Sequence, residues 1–330
     1  MSRWMLGVSI VLAALAANFL SSREVWAQQK YTMKVGGVLT GEKTGWYVGL
    51  RAFKQKVEPM TGGRLDVQIY MGTLGGERQL YEGLRLGTIE GAVANTGPLS
   101  AFVPEVGLLN LPFLFTSWQH AWKVVDGPLG KKLADKTLEK GIRVLGWWQI
   151  GTRDIYNNGR PIMKPEDLKG MKIRTMESPE FLAMYRAYGA MPVPMPQTET
   201  YMALKQGVID GADSPLGAVA PLKHNEVVKY AARIQHLFSI SPLCVSEKWF
   251  GSLPPDIQEA IVKAEQQVRQ LHREADIQQD DGGVKEFEAA GVKVTFPDRK
   301  AFQVIGRSIY PQFYNQVGRE NIEMILKTGE

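Results

Sequence analysis

The clearest provision for binding an anion is Arg174, which follows the stretch Met171-Lys172-Ile173. Apolar residues at 171 and 173 alternate with charged ones at 172 and 174, the period of a strand. Ligands in open α/β sheets sit beyond the carboxyl ends of strands. A guanidinium there presents a planar fork that matches a carboxylate with two parallel hydrogen bonds. The plain alternative is a surface arginine in the same alternating pattern. Arg153 stands in the polar stretch Gly151 to Pro161, where the chain is expected to pass between domains. It is placed either to engage a ligand when the domains close or to form a salt bridge at a hinge. Trp46, Tyr47 and Trp148 lie near the same expected cleft and suit stacking on an apolar ligand body, or burial in the core.

Other chemistry is poorly provided for. His120, His224, His236 and His272 have no metal-ligand spacing, and the single cysteine, Cys244, neighbours none of them, so no metal site is expected. The chain contains no G-x-S-x-G, P-loop or G-x-G-x-x-G motif, no acid pair stands out for acid–base work, and no cofactor is expected. A net charge of +5 without Lys/Arg blocks argues against nucleic-acid binding. A periplasmic enzyme, an isomerase or hydrolase acting on a small acid, would use the same arginines and remains the alternative to a binding protein. A sensor subunit would use them too.

The elements that must carry these residues include an internal repeat. Tyr81 to Ala92 reads YEGLRLGTIEGA, and 120 residues later Tyr201 to Ala212 reads YMALKQGVIDGA, with six of twelve positions identical. Each copy reads as the end of an amphipathic helix, a glycine cap (Gly87, Gly207) and a strand, expected from Ile89 to Ala94 in the first copy. Two such joints suggest two similar α/β halves facing each other across a cleft. Ser178 and Thr198 are the expected N-caps of the helices that follow them. Ala190 to Pro196 alternates proline with Met and Val, which places it extended at an edge. Ile257, Ile261, Ala264, Val268, Leu271 and Ala275 give one apolar face to a helix expected from Pro254-Pro255 to about Asp280. At ~1.5 Å per residue it would be roughly 35 Å long, enough to run along both domains.

The N-terminus reads as a signal peptide: Arg3, an uncharged run from Trp4 to Leu20, then Val25-Trp26-Ala27 at a small-x-small cleavage site. Residues 1–27 would be removed and the rest exported, to a bacterial periplasm in view of the lone cysteine.

Several landmarks recur in a fixed order: Leu74-Gly-Gly-Glu-Arg78, Leu111-Pro-Phe-Leu-Phe115, Gly151-Thr-Arg153, Arg160-Pro-Ile162, Lys169-Gly-Met-Lys-Ile-Arg174, Gly207-Val-Ile-Asp-Gly211 and Pro254-Pro-Asp256. In this order and spacing the chain resembles the substrate-binding proteins of TRAP transporters, the DctP family. The resemblance implies an α/β, two-domain fold of the periplasmic-binding-protein kind, with a hinge and a long helix spanning both domains. The first domain would comprise 28–150 plus about 240–280, and the second 151–239 plus about 281–330. It implies a protein that closes on an organic acid and delivers it to the membrane permease of a TRAP transporter; a monomer is the default expectation. It also implies a carboxylate-binding role for Arg174 and a cleft position for Arg153. Gln197, Asn95 and Glu77 resemble positions that point into the family's cleft, although turn or cap chemistry serves each as well. Ser214 stands where some members carry an Asn, so the ligand could sit differently here. Asp213 beside it would repel an anion and is expected to face a cap or a backbone amide.

Overall fold

The computed structural model describes residues 29–329, so the expected signal peptide lies outside the described residues. The strands form two sheets. The first contains β1 (Tyr31–Gly37), β2 (Leu65–Met71), β3 (Gly91–Val93), β4 (Ile142–Thr152) and β10 (Phe238–Ser246), in the order β2-β1-β3-β10-β4. The second contains β5 (Asp154–Asn157), β6 (Lys172–Thr175), β7 (Met191–Pro194), β8 (Gly211–Ser214), β9 (Tyr230–Ala232) and β11 (Lys293–Thr295), in the order β11-β9-β5-β8-β6-β7. In the first sheet Met33, Val35, Leu65 and Val67 are buried together with Leu50, Phe53 and Val57 of the helix Gly45–Met60. That helix presents its apolar residues three and four apart, as a core-facing face requires.

The repeat is one joint used once in each sheet. The helix Glu77–Leu86 ends at Gly87 with φ 76°, and β3 follows, parallel to β1. The helix Gln197–Lys205 is followed by Gly207 with φ 70°, and β8 runs parallel to β6. Both glycines occupy the left-handed region that other residues enter at a cost. The first strand of the repeat is shorter than expected, beginning at Gly91.

The helix Pro255–Ala289 is 35 residues long, about 52 Å at ~1.5 Å per residue. It packs on the helix Gly45–Met60 and β4 of the first domain and on Leu216–Val219 of the second. Polar side chains peg it to β4. Glu265 accepts from Trp148 Nε1 at 3.0 Å, His272 Nε2 from Gln149 N at 3.1 Å, and Asp280 from Thr152 N at 3.1 Å. It outruns its expected end near Asp280 because Gly282-Gly283 does not break it. A Cβ on Gly283 would overlap the backbone of Gly217, so here glycine permits close helix approach.

Four local expectations are corrected. The stretch Gly151 to Pro161 is not a loop: β4 continues to Thr152 and β5 occupies 154–157. Its polar residues are paired inside, Asp154 with Arg233 and Tyr156 with His224. Ser178 holds the N-cap position, but its hydroxyl donates to Glu180 instead of capping. Thr198 lies inside its helix, whose N-cap is Pro196. The segment after about 310, placed with the second domain, returns to the first. Tyr310 donates to Pro112 O at 2.7 Å, Gln316 to Pro104 O at 2.7 Å, and Thr328 meets His120 at 3.2 Å. Burial of Phe313, Val317, Ile322 and Ile325 holds it there.

β7 is the outer strand of its sheet and, among the described residues, pairs only with β6. Met191 N donates inward to Met171 O and Met195 N to Thr175 O. By the two-residue period of a strand, the outward N–H positions are 192 and 194, both proline.

Candidate functional site

The sheets meet where the chain crosses between them. β4 and β10 stay paired up to Thr152 and Phe238. Arg153 N then donates to Leu237 O at 2.9 Å, and His236 N to Arg153 O at 3.2 Å. Arg233 ties Asp154 of β5, at 2.6 Å, to Asp280 of the long helix, at 3.3 Å.

A cavity lies between the sheets beside this crossing. Glu77 and Asn95 line it from the first domain, Arg174, Gln197 and Ser214 from the second, and Arg153 from the crossing. Leu39, Ile150, Met176 and Val219 supply apolar wall. A Cβ on Gly76 would stand 3.2 Å from Pro196 Cβ, so the two repeat helices begin side by side across the cleft. Their first residues, Glu77 and Gln197, are equivalent in the repeat, each four before its tyrosine. Helix N-termini favour negative charge. The free space there is about 10 Å³, the scale of one water. The halves are closed on each other and must part to admit anything larger. Past Val38 and Gln197 the cleft widens into a mouth flanked by Thr40, Tyr201, Lys223 and His224.

The two arginines differ in their partners. Arg153 is 1% exposed and pairs with the fully buried Asp213. It also donates to Asp213 O at 2.6 Å and lies over the Phe181 ring at 5.1 Å. Asp213 accepts from Tyr185 at 2.6 Å and meets His236 Nε2 at 2.7 Å. Burial alone would raise the Asp213 carboxyl, but Arg153 and His236 outweigh it and hold it far below the usual carboxylate range. Arg174 is also 1% exposed. Its Nε donates to Met195 O at 2.8 Å and its Nη1 to Gln197 Oε1 at 2.6 Å. Among the described residues no carboxylate stands within ion-pair distance of it. Burial pulls its pKa below the usual guanidinium value. On the facing wall Glu77 Oε1 accepts from Asn95 N at 2.8 Å and from Asn95 Nδ2 at 2.7 Å. Burial raises the Glu77 carboxyl, and the two bonds from Asn95 moderate the rise.

Six of the seven expected residues therefore meet at one cavity: Arg174, Arg153, Ser214, Gln197, Asn95 and Glu77. Trp148 does not line it. The ring is fully buried, stacks on His272 with centroids 4.3 Å apart, and donates to Glu265. Trp46 is likewise core, donating to Gln149 O at 2.9 Å. The large apolar area of both rings is better removed from water under the long helix than left at a cleft wall. Asp213 is corrected as well, since it turns inward to Arg153 instead of to a cap. Sequence reasoning missed His236 and Tyr185, whose roles depend on strands distant in sequence. The pairing of Glu77 with Gln197 was available, because the repeat extends four residues upstream of Tyr81 and Tyr201.

The chain matches the family described as bacterial extracellular solute-binding protein, family 7 (DctP), over residues 36–317. A solute-binding protein of Verminephrobacter eiseniae is 35% identical over 302 residues, covering 91% of this chain and 90% of that one. A TRAP periplasmic solute-binding protein of Polaromonas sp. JS666, solved with D-erythronate bound, superposes with a TM-score of 0.87 at 31% identity, covering 90% of this chain and 98% of the other. A sugar-acid-binding protein of Advenella mimigardefordensis, solved with galactonate, gives 0.87 at 29% identity, covering 92% and 98%.

Proposed function

The chain belongs to the bacterial extracellular solute-binding proteins of family 7, the solute receptors of TRAP transporters, and from that premise we propose that Arg174 is its carboxylate anchor. The ligand is a small organic acid taken up between the two sheets and handed to a TRAP-type membrane permease. Members of the family are periplasmic receptors, not enzymes.

One observation carries this reading: Arg174 is buried, and among the described residues its hydrogen-bond acceptors are neutral. An uncompensated buried charge is costly, and a carboxylate arriving there relieves that cost with charge-assisted bonds. Arg153 already has Asp213, so it shapes and stiffens the site while its ion pair joins the crossing to β8. Gln197 and Ser214 complete the anchor on the second domain, and Glu77 and Asn95 meet the rest of the ligand from the first. Contact with both walls is what lets ligand pull an open form closed.

The test is a thermal-shift screen of protein refolded free of co-purified ligand, against mono- and dicarboxylic acids and their amides. An acid present at about 100 times its Kd adds roughly 2.7 kcal/mol, a clear rise in Tm that the matching amide does not produce. Equal shifts for acid and amide, or no shift with any acid, would overturn the anchor.

A further inference from the structure

The two walls of the cavity differ in hydrogen-bonding sense. The second domain turns donors toward it. Arg174 can only donate, which fixes Gln197 Oε1 as its acceptor at 2.6 Å, with Ser214 Oγ donating to the same oxygen at 3.3 Å. Gln197 Nε2 is left buried with no partner. The first domain turns an acceptor toward the cavity. Asn95 Oδ1 takes Ser239 Oγ at 3.2 Å and Ser241 Oγ at 3.0 Å, which directs its Nδ2 to Glu77 Oε1. Glu77 Oε2 accepts nothing among the described residues.

Resting on the reading of this cleft as a carboxylate site, we infer that Glu77 is the residue that selects hydroxylated monocarboxylic acids and rejects dicarboxylic acids of the same length. A ligand anchored at Arg174 and reaching the first domain brings its other end to Glu77. A second carboxylate there meets a like charge in a site closed to water, which is strongly unfavourable. A methylene would cover that oxygen without supplying a donor. A hydroxyl supplies the missing donor. An ammonium is disfavoured, because Arg174 and Arg153 both act on this carboxyl through space. The repeat sharpens the point: its equivalent position in the second domain is Gln197, a side chain of nearly the same shape that brings a donor where Glu77 cannot.

The experiment is calorimetric titration of refolded, ligand-free protein with two length-matched pairs, D-erythronate against succinate and galactonate against adipate. At least one hydroxy acid binds, and its dicarboxylate partner binds about 100-fold more weakly, the discrimination expected of a buried hydrogen-bonding site. Glu77→Gln keeps the oxygen that Asn95 uses, so the fold is retained, which circular dichroism checks. In that variant the hydroxy acid weakens and the dicarboxylate strengthens, closing the gap to about tenfold or less. Arg174→Ala weakens every acid alike, whatever Glu77 does. A wild-type protein that binds dicarboxylates as tightly as hydroxy acids, a Glu77→Gln ratio unchanged from wild type, or failure of both hydroxy acids while other acids bind would each overturn the selection while leaving the anchor standing. Unchanged affinity in Arg174→Ala would overturn the anchor instead.

Discussion

Replacing either buried arginine with alanine separates structure from binding, because the two replacements act on different states. Arg153→Ala strands Asp213, which is fully buried and would keep only His236 and Tyr185. Breaking a buried pair by removing one partner costs about 3–5 kcal/mol, so this variant should unfold at much lower urea with or without ligand. Arg174→Ala strands no carboxylate. It loses bonds to Met195 O and Gln197 Oε1, each worth ~1.5–3 kcal/mol with a charged donor. It also removes a buried charge whose desolvation costs several kcal/mol. These oppose each other, and the unliganded stability should move by no more than about 1–2 kcal/mol. Binding has no such cancellation. Truncating one side of a buried charge pair costs about 2–5 kcal/mol, roughly 30- to 4000-fold in Kd at ~1.4 kcal/mol per decade. Arg174→Lys keeps the charge without the fork and should fall between. Urea melts of the unliganded variants and calorimetry with a bound acid measure both quantities. If Arg174→Ala proves as unstable as Arg153→Ala and binds acid as wild type does, Arg174 is a structural residue and the reasoning fails.

Three further outcomes follow from the geometry. His272 is buried, accepts from Gln149 N at Nε2 and faces Gly45 O at Nδ1, so its neutral form fits, and burial lowers its pKa from 6.5 to about 4. A depressed folded pKa contributes stability that is present above pH 6.5 and lost as pH falls through about 4, roughly 3 kcal/mol at 1.36 per unit. His272→Gln should flatten the fall of Tm over that window, and an unaltered slope would count against it. Gly283→Ala should destabilise despite a helix-propensity gain of ~1 kcal/mol, because its methyl meets Gly217. Gly282→Ala, whose nearest neighbour is Glu286 Oε1 at 3.9 Å, should leave stability unchanged or raise it by up to ~1 kcal/mol; equal effects at the two glycines in thermal melts would refute the close contact.

Local patterns made most of this legible. Left-handed glycines after Leu86 and Gln206, alternation in Leu65-Asp66-Val67, and the apolar spacing after Pro255 are read from neighbours in sequence, and the corresponding elements formed. The last turns of the long helix, beyond Asp280, were harder, because Gly282-Gly283 reads as a break until the backbone of Gly217 is brought against it. Asp154 and Tyr156 made a polar stretch look like a loop, since their partners Arg233 and His224 lie some 70 to 80 residues onward. Asp213 was misplaced for the same reason: its burial is compensated by Arg153 and His236, which only the crossing of β4 and β10 brings together. Trp148 was misassigned because a large ring serves a cleft wall and a core equally well until its neighbours are known.

The prolines at 192 and 194 have a meaning beyond the fold. An unpaired strand at the margin of a sheet invites another chain to add on and begin an aggregate. On β7 the two positions that would offer hydrogens outward cannot do so, and a newcomer would find carbonyls alone, half of the ladder it needs. This margin is therefore guarded by chemistry, with no cap of charged residues or covering helix required. Two residues therefore deny an incoming strand the donors it would need along this margin.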